Sequence, residues 1–502
     1  MKTVAEKLKI TITGRLAKIL KARFFLFSLA LLCLPTASEK LFAEETGNSF
    51  GFLFDHYQLT LEDGYRTEAV GPLFYSQHEA ESGASTIAFP PLFSHYRNPS
   101  VESHEDDFLY PVLTGIHYGQ EYRWQFLQLI SFAGGQEQDA STEDRFTLFP
   151  FYFQQRSTGT SENYTALFPI YGHLLNRFWR DRIFFVLFPI YSQTQKRDIV
   201  TDNYVFPIVH VRNGIGLHGW QVWPLYGSEH KIVTLQTNGF GDVSTNPGHD
   251  RSFALWPLWL KQDNGIGTTN AEKFRASIPL FVYSRSTNMD LTTVIWPFFS
   301  WIDNREKEYH EWQTPWPIVI FARGEGKTTS RIFPLFQSSH NATLESDFYL
   351  WPVYTYRRTH SDPLDYRRTR VLFYLYANIM EKNTKTGVFK QRLDMWPFFT
   401  WHRDFNGNER LQVFAPIEPA VPDNRGIERN WSPLWSLWRA ENNPKTGATS
   451  HSLLWNLYRD EKAPERKKVS LLFGLFQYQC DGETKRTKLF YLTIFKSSAA
   501  TK

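Results

Sequence analysis

The chain has 502 residues, with 55 Lys and Arg against 51 Asp and Glu for a formal charge of +4, and 17% of it is Phe, Trp or Tyr. The first 43 residues carry 8 Lys and Arg against 2 acids, so the remainder lies near −2; the basicity belongs to one end, and the basic face that a nucleic-acid partner requires is missing. Only Cys33 and Cys480 occur, which excludes a disulfide framework, a CxxC pair or a Cys-based zinc site after residue 43.

The chain opens on a basic stretch containing Lys7, Lys9, Arg15, Lys18, Lys21 and Arg23, followed by the apolar run Phe24 to Leu34 and then small residues. That run is too short to cross a bilayer as a helix, so residues 1–43 read as a secretory leader cleaved after Ala43 or near Ala37 and Ser38. A retained short anchor is the alternative. Cys33 follows Leu31 and Leu32, where lipid attachment calls for a small residue. Residues 44–502 show no linker, charge block or shift in composition and read as a single domain.

Beyond the leader one motif recurs: an aromatic, a proline and an aliphatic or aromatic residue. It stands at Tyr110-Pro111-Val112, Phe149-Pro150-Phe151, Phe168-Pro169-Ile170, Phe188-Pro189-Ile190, Phe206-Pro207-Ile208 and Trp223-Pro224-Leu225. It continues at Trp256-Pro257-Leu258, Trp296-Pro297-Phe298, Trp316-Pro317-Ile318, Phe333-Pro334-Leu335, Trp351-Pro352-Val353 and Trp396-Pro397-Phe398. Relaxed copies surround Pro72, Pro91, Pro279, Pro416 and Pro433, and neighbouring prolines are typically 17 to 22 residues apart. The longer gap from Pro224 to Pro257 holds one insertion rich in Gly, Asn, Thr and Asp, which reads as a loop.

Each unit is an apolar run of about ten residues centred on the proline and flanked by turn formers such as Asn213-Gly214, Asp263-Asn264-Gly265 and Asn406-Gly407-Asn408. A helix is ruled out by a proline inside every run and by the abundance of β-branched and aromatic residues. Counting outward from the proline gives an apolar face, as in Leu187, Pro189 and Tyr191, so the unit reads as one strand with the proline at its midpoint. The expected fold is all-β: an antiparallel meander of about twenty strands, closed or curled into a large barrel. A β-solenoid with one coil per unit is the alternative. A proline at mid-strand removes a ladder hydrogen bond and counts against the barrel, whereas the varying lengths of the units count against the solenoid.

No reactive constellation emerges. His210, His218, His249, His310, His340, His360 and His402 lie apart and without the HExxH spacing; no phosphate-binding Gly-rich loop and no GxSxG elbow is present. Asp303, Asp404 and Asp460 recur beside Arg305, Arg403 and Arg459, a pairing that paired-carboxylate glycoside hydrolysis could exploit but that reads as repeated surface ion pairs. The sequence therefore assigns no catalytic residue, no cofactor and no metal, and the protein reads as not an enzyme. Trp301, Tyr356, Trp401 and Trp438, near strand ends beside Arg357, Arg403 and Arg439, join an apolar body to a polar edge and are the candidates for an interface belt.

The chain ends on Lys488-Leu489-Phe490-Tyr491-Leu492-Thr493-Ile494-Phe495, an alternating run finishing on an aromatic. This resembles the final strand of Gram-negative outer-membrane β-barrel proteins, except that Lys496 to Lys502 follow the phenylalanine. The resemblance implies an exported, non-enzymatic protein of the bacterial cell envelope, an outer-membrane β-barrel of structural or porin-like transport type with membrane lipid as partner. The alternative is a secreted or periplasmic repeat scaffold, or one at the cell surface, whose aromatic rows bind polysaccharide or another envelope protein.

Overall fold

From Asp55 to Ser497 the chain runs as strands of four to eight residues joined mostly by turns, and, one inserted hairpin apart, each pairs antiparallel with its neighbours in sequence. The structure, a computed structural model, describes residues 49–136, 142–158, 163–237 and 243–497. The sheet formed in this way has 43 strands. The expected leader and Cys33 lie outside the described residues, and Cys480 is a free thiol.

The all-β antiparallel meander is thus observed, but with twice the expected number of strands. The reason is the location of the motif. One strand ends at Tyr204 and the next begins at Val209, so Val205, Phe206, Pro207 and Ile208 are the turn between them. Leu187 to Ile190 likewise join Arg180–Val186 to Tyr191–Lys196. The apolar run is therefore the end of one strand, a tight turn and the start of the next, and a twenty-residue repeat holds two short strands. The X–Pro bond is cis in all twelve strict copies.

This placement removes the objection to proline. In the turn Leu187 to Ile190, the Leu187 N–H donates to the Ile170 carbonyl at 2.6 Å, the Phe188 N–H to Pro169 at 2.7 Å and the Ile190 N–H back to Leu187 at 2.8 Å. Pro189 has no N–H to satisfy, and its carbonyl accepts from Phe206 at 2.7 Å. The ladder thus continues through the turns, each bonded to its predecessor along one edge of the sheet. In motif turns of four residues such as this one the first residue takes a positive φ, 46° at Leu187, 51° at Val205 and 50° at Ile295. Aliphatic residues rarely adopt that conformation, and here hydrogen bonds on both sides hold it.

The ladder is open. Asp55–Gln58 pairs with Gly64–Ala69, Leu492–Ser497 pairs with Thr484–Leu489, and the two end strands do not pair with each other, so hydrogen bonds do not close a barrel. Every pairing is antiparallel, so the sheet is not the stack of parallel coils that the solenoid alternative requires. The insertion after Pro224 is not a bare loop: Thr234–Thr237 and Val243–Asn246 form a separate two-stranded hairpin. The expected final strand is also divided, with Thr484–Leu489 and Leu492–Ser497 meeting at the turn Phe490-Tyr491.

The two faces of the sheet differ along their whole length. One row runs strand to strand through Ala166, Gly172, Phe185, Ser192 and Asn203, and later through Ala276, Val282, Thr293 and Ser300. Except for the glycine, these side chains are buried. They are mostly small because neighbours crowd there: a Cβ on Gly172 would meet the Ala166 Cβ at 2.3 Å and Phe185 at 2.5 Å. We call this the inner face. Side chains one position nearer the motif turn point to the outer face.

The ends of the meander meet through inner-face side chains. Arg459 covers the ring of Tyr57 at 3.3 Å, Asn456 donates to Glu68 at 2.8 Å, and Thr60 donates to Ser450 at 2.7 Å. Residues 414–437 replace one motif turn by a strap with two short helices, Arg425–Asn430 and Ser432–Trp435. The strap crosses to the first strands: Arg429 pairs with Glu105 at 2.5 Å and with Asp107 at 2.9 Å, and the Trp431 indole donates to the Tyr110 carbonyl at 2.9 Å.

Candidate functional site: the aromatic rim

Because a hairpin meander turns at both edges, alternate turns fall on opposite edges. All the motif turns share one edge, and the polar turns, such as Lys196 to Asp198 and Asn304 to Glu308, share the other. With strands about 4.8 Å apart, 43 strands give the sheet roughly 200 Å of each edge. The motif edge is an apolar rim. Leu187, Ile190, Val205, Ile208, Leu255, Leu258, Ile295, Phe298, Leu350 and Val353 are all exposed there, Ile190 by 57% and Leu350 by 58%. The largest exposed hydrophobic side chain on the opposite edge is Trp179.

The motif aromatics face the inner side of this rim and stack along it. Ring centroids are 5.4 Å apart for Phe168 and Phe188, 5.7 Å for Phe188 and Phe206, 5.9 Å for Trp223 and Trp256, and 5.6 Å for Phe333 and Trp351. Offset and tilted pairs at these separations add to the stabilisation from buried area. Below them Phe153, Leu174 and Phe185 close the floor of a hollow of about 580 Å³. On the outer side, the strand-end row reads Phe89, Phe93, Phe108, Leu113, Phe126, Ile130, Leu148 and Tyr152 in register. It is as apolar further on, at Phe336, Tyr349, Tyr354, Val371, Tyr376, Met395 and Phe399. The rim is therefore apolar on its tips and on both of its flanks.

The four expected belt residues share the outer face. Trp301, Tyr356 and Trp401 stand at the same distance from their prolines, each next to a buried inner residue, respectively Ser300, the half-buried Thr355 and Thr400. Trp301 pairs across the ladder with Thr292 and Trp312, and Trp401 with Leu393 and Leu411. Trp438 lies one step closer to the rim, opposite Val413 and Leu453, with its ring against His451 and Tyr458. The structure thus brings three of the four to one height and the fourth just beside it.

Behind the rim the interior is charged. A cavity of about 400 Å³ between the first strands, the last strands and the strap is lined by Arg66, Arg410, Arg429, Arg439 and Arg459 together with Glu62, Glu68, Glu79 and Glu441. Most of these charges are matched. Arg66 pairs with Glu68 at 2.8 Å and Arg459 with Glu461 at 2.6 Å. Burial alone would raise the Glu68 carboxyl, but Arg66 and the hydrogen bond from the Tyr57 hydroxyl hold it below the ordinary carboxylate range. Glu62 is pushed up by burial and by the neighbouring Glu79 and Glu441. Such a matched network joins the ends of the sheet.

Of the three surface pairs read from the sequence only Arg305 and Asp303 meet, at the polar edge; Arg403 pairs with Glu409 at 3.6 Å in place of Asp404, and Arg459 is buried on the inner face with Glu461 in place of Asp460. Arg305 lies 3.1 Å from Asp290 and 3.7 Å from Asp303, all three well exposed. Sequence reasoning missed a group on the outer face: His95, His104, Asp106 and His117. Their spacing carries no motif, but they occupy successive short strands, a relation visible only once the repeat is read as two strands. In comparisons with known proteins, no family model matches this chain and no similar curated protein is found.

Proposed function

We propose that this is a non-catalytic protein of the bacterial cell envelope that seats its aromatic rim in one leaflet of a membrane, with a structural or transport role there. The observation that carries the reading is the combination at the motif turns of exposed apolar side chains with backbone donors already satisfied. Lipid tolerates polypeptide only where backbone N–H groups are paired. In the turn Leu187 to Ile190 all three N–H groups donate, and proline removes the fourth. An aqueous loop would not need this.

Strand length favours a seated rim over a bilayer-spanning wall. A transmembrane strand needs about nine to eleven residues, whereas these have four to eight and are apolar only at the rim end. Each fully buried aliphatic tip contributes about 1.5–3 kcal/mol, so a handful of turns exceeds the marginal hold of a single acyl chain. Trp301, Tyr356 and Trp401 then stand at the height where amphipathic rings favour the lipid–water boundary.

Flotation with phospholipid vesicles tests the proposal. The wild-type chain is expected to float, and a variant carrying Leu187→Glu, Ile190→Glu, Leu350→Glu and Val353→Glu to float at least tenfold less with unchanged circular dichroism. Equal flotation of both, or a wild type that stays with the aqueous fraction, overturns it; the second outcome leaves the aromatic rows to the polysaccharide-scaffold reading.

A further inference from the structure

Three imidazoles and a carboxylate converge on the outer face of the strands Phe93–Asn98, Ser103–Phe108 and Leu113–Tyr118. His104 and His117 are directly opposite across the ladder, and their rings stack with centroids 4.0 Å apart. Asp106 follows His104 by two positions and therefore shares its face. Across the other ladder Asp106 faces His95, whose Nδ1 is 2.7 Å from its Oδ1. One ligand atom from each of His104, Asp106 and His117 lies within 4.8 Å of the others, the only such trio among the described residues.

The surroundings complete a socket. Gly115 is the residue opposite Asp106 on the third strand, and the Trp124 indole occupies the space its side chain would take, with ring atoms 2.7 Å from where a Cβ would stand. The same indole meets His117 edge-on at 6.0 Å. The Nδ1 atom of His117 is buried and has no hydrogen-bond partner. A buried imidazole nitrogen without a partner is costly unless something fills the place. The facing charges are few: Arg97 lies opposite His104 in register, and Tyr122, opposite His117, gives its hydroxyl proton to Asp144 at 2.8 Å.

Other cross-strand rings on this sheet, such as Tyr191 and Tyr204 at 5.3 Å, are tilted by 46°, and Tyr191 gives its hydroxyl proton to Asp202 at 2.8 Å. The histidine pair differs in lying face to face beside a carboxylate with a ring nitrogen left unpartnered. We propose that His104, Asp106 and His117 form a binding site for a divalent first-row transition ion, zinc being the best match, with His95 orienting the Asp106 carboxylate from behind. Two imidazole nitrogens and a carboxylate oxygen with no thiolate suit zinc, copper or nickel and disfavour calcium or magnesium. Zinc bonds of about 2.0–2.2 Å require the ligand atoms to close in from their present separation, which half-buried rings achieve by rotating out of the stack. Burial, with the other histidine nearby in the case of His104, lowers both imidazoles. Held across two adjacent strands, with His95 supporting from a third, the ion would pin the sheet near its first turns.

The test uses the full chain, stripped with a chelator and desalted. Calorimetric titration with Zn²⁺ and visible absorption with Co²⁺ are expected to show one saturable equivalent, with cobalt bands of a four- or five-coordinate site. The variant His104→Gln with His117→Gln keeps hydrogen-bonding side chains of similar reach and is expected to lose at least 100-fold in affinity. His95→Gln, acting through Asp106, should lose about tenfold, in line with supporting ligands elsewhere. His310→Gln, at an exposed ion pair with Asp303 far along the sheet, should change nothing. Absence of saturable binding, or equal binding by wild type and the double variant with matching circular dichroism, overturns the proposal.

Discussion

The guanidinium of Arg459 lies 3.3 Å above the ring of Tyr57, near opposite ends of the described chain, and the Tyr57 hydroxyl donates to Glu68 at 2.7 Å. This contact does what a closing hydrogen-bond ladder would do in a barrel. The end strands do not pair with each other, yet their inner faces share Arg66, Glu68, Asn456, Arg459, Glu461, Lys468 and Asp55. Removing one partner from a buried charge network leaves the rest uncompensated, at a cost of about 3–5 kcal/mol. Arg459→Ala is therefore expected to lower stability by roughly that amount in denaturant titration. Hydrogen exchange should rise in residues 55–69 and 438–471 together while residues 289–304 stay unchanged; a uniform rise would show that the ends are not a separate unit.

Gly51 makes the second tie between the ends. A Cβ there would stand 1.2 Å from the Phe473 carbonyl oxygen, and φ is +59°. Nearby, Phe52 packs edge-on against Phe473 at 5.2 Å, and Gln477 donates to the Ser49 carbonyl at 3.1 Å. Gly51→Ala has both a backbone clash and a disfavoured φ, so the segment must lift off. The expected result is faster proteolysis ahead of Asp55 and a loss of roughly 2–4 kcal/mol, the range of severe single substitutions. A variant as protease-resistant as wild type would show that the segment is not seated there.

A third expectation concerns depth. In the proposed seating, Trp256, Trp296 and Trp351 in motif turns enter lipid, Trp301 and Trp401 stand near its boundary, and Trp179 on the polar edge stays in water, 89% exposed. Vesicles containing brominated lipids should quench tryptophan emission, and Trp179→Phe should leave the quenched component intact. Trp256→Phe, Trp296→Phe and Trp351→Phe together should diminish it. Quenching concentrated in Trp179 would mean that the opposite edge faces the membrane.

Much of the architecture was legible because the repeat is a backbone feature written in side chains. The aromatic-proline units, the polar turn at Asn406-Gly407 and the antiparallel meander all follow from spacing and turn chemistry, whereas Asn213-Gly214 closes the strand Val209–Gly214 and the turn is the next two residues, Ile215-Gly216. The strand count was not legible, for a physical reason. Turns are normally recognised by Gly, Asn, Asp or a polar cluster, whereas Leu187-Phe188-Pro189-Ile190 is apolar throughout. Counting alternate residues across it joins the end of one strand to the start of the next. Only proline gave the signal: it is unwelcome at mid-strand and needs nothing in a turn where an N–H would have no partner. An apolar turn is itself the functional clue, since water gives no reason for one. The height shared by Trp301, Tyr356 and Trp401 could be read because it was measured from the proline, whatever the proline's place. The His104 and His117 pairing could not, since it rests on the cross-strand register that the misplaced strand boundaries hid.

His402 gives a pH-dependent prediction with a definite sign. It lies on the inner face opposite Arg392 and Arg410. Thr400 gives its hydroxyl proton to Asp394 at 2.5 Å, so at 3.0 Å its oxygen accepts from the His402 Nε2–H, which fixes the neutral tautomer. Burial, reinforced by Arg392, Arg410 and Lys390, lowers this imidazole to about 2. The unfolded chain protonates the same ring near its ordinary 6.5. Below that pH the unfolded state binds a proton that the folded state refuses, so stability attributable to His402 falls as pH falls, by about 1.4 kcal/mol per unit, and is constant above pH 7. His402→Gln keeps a donor to Thr400 and removes the titration. Denaturant midpoints for the two proteins should therefore run parallel from pH 7 to 8 and diverge between pH 6 and 4, with the variant losing less. Curves that stay parallel to pH 4 would mean that the folded protein admits the proton and that His402 is not held neutral by its arginine neighbours.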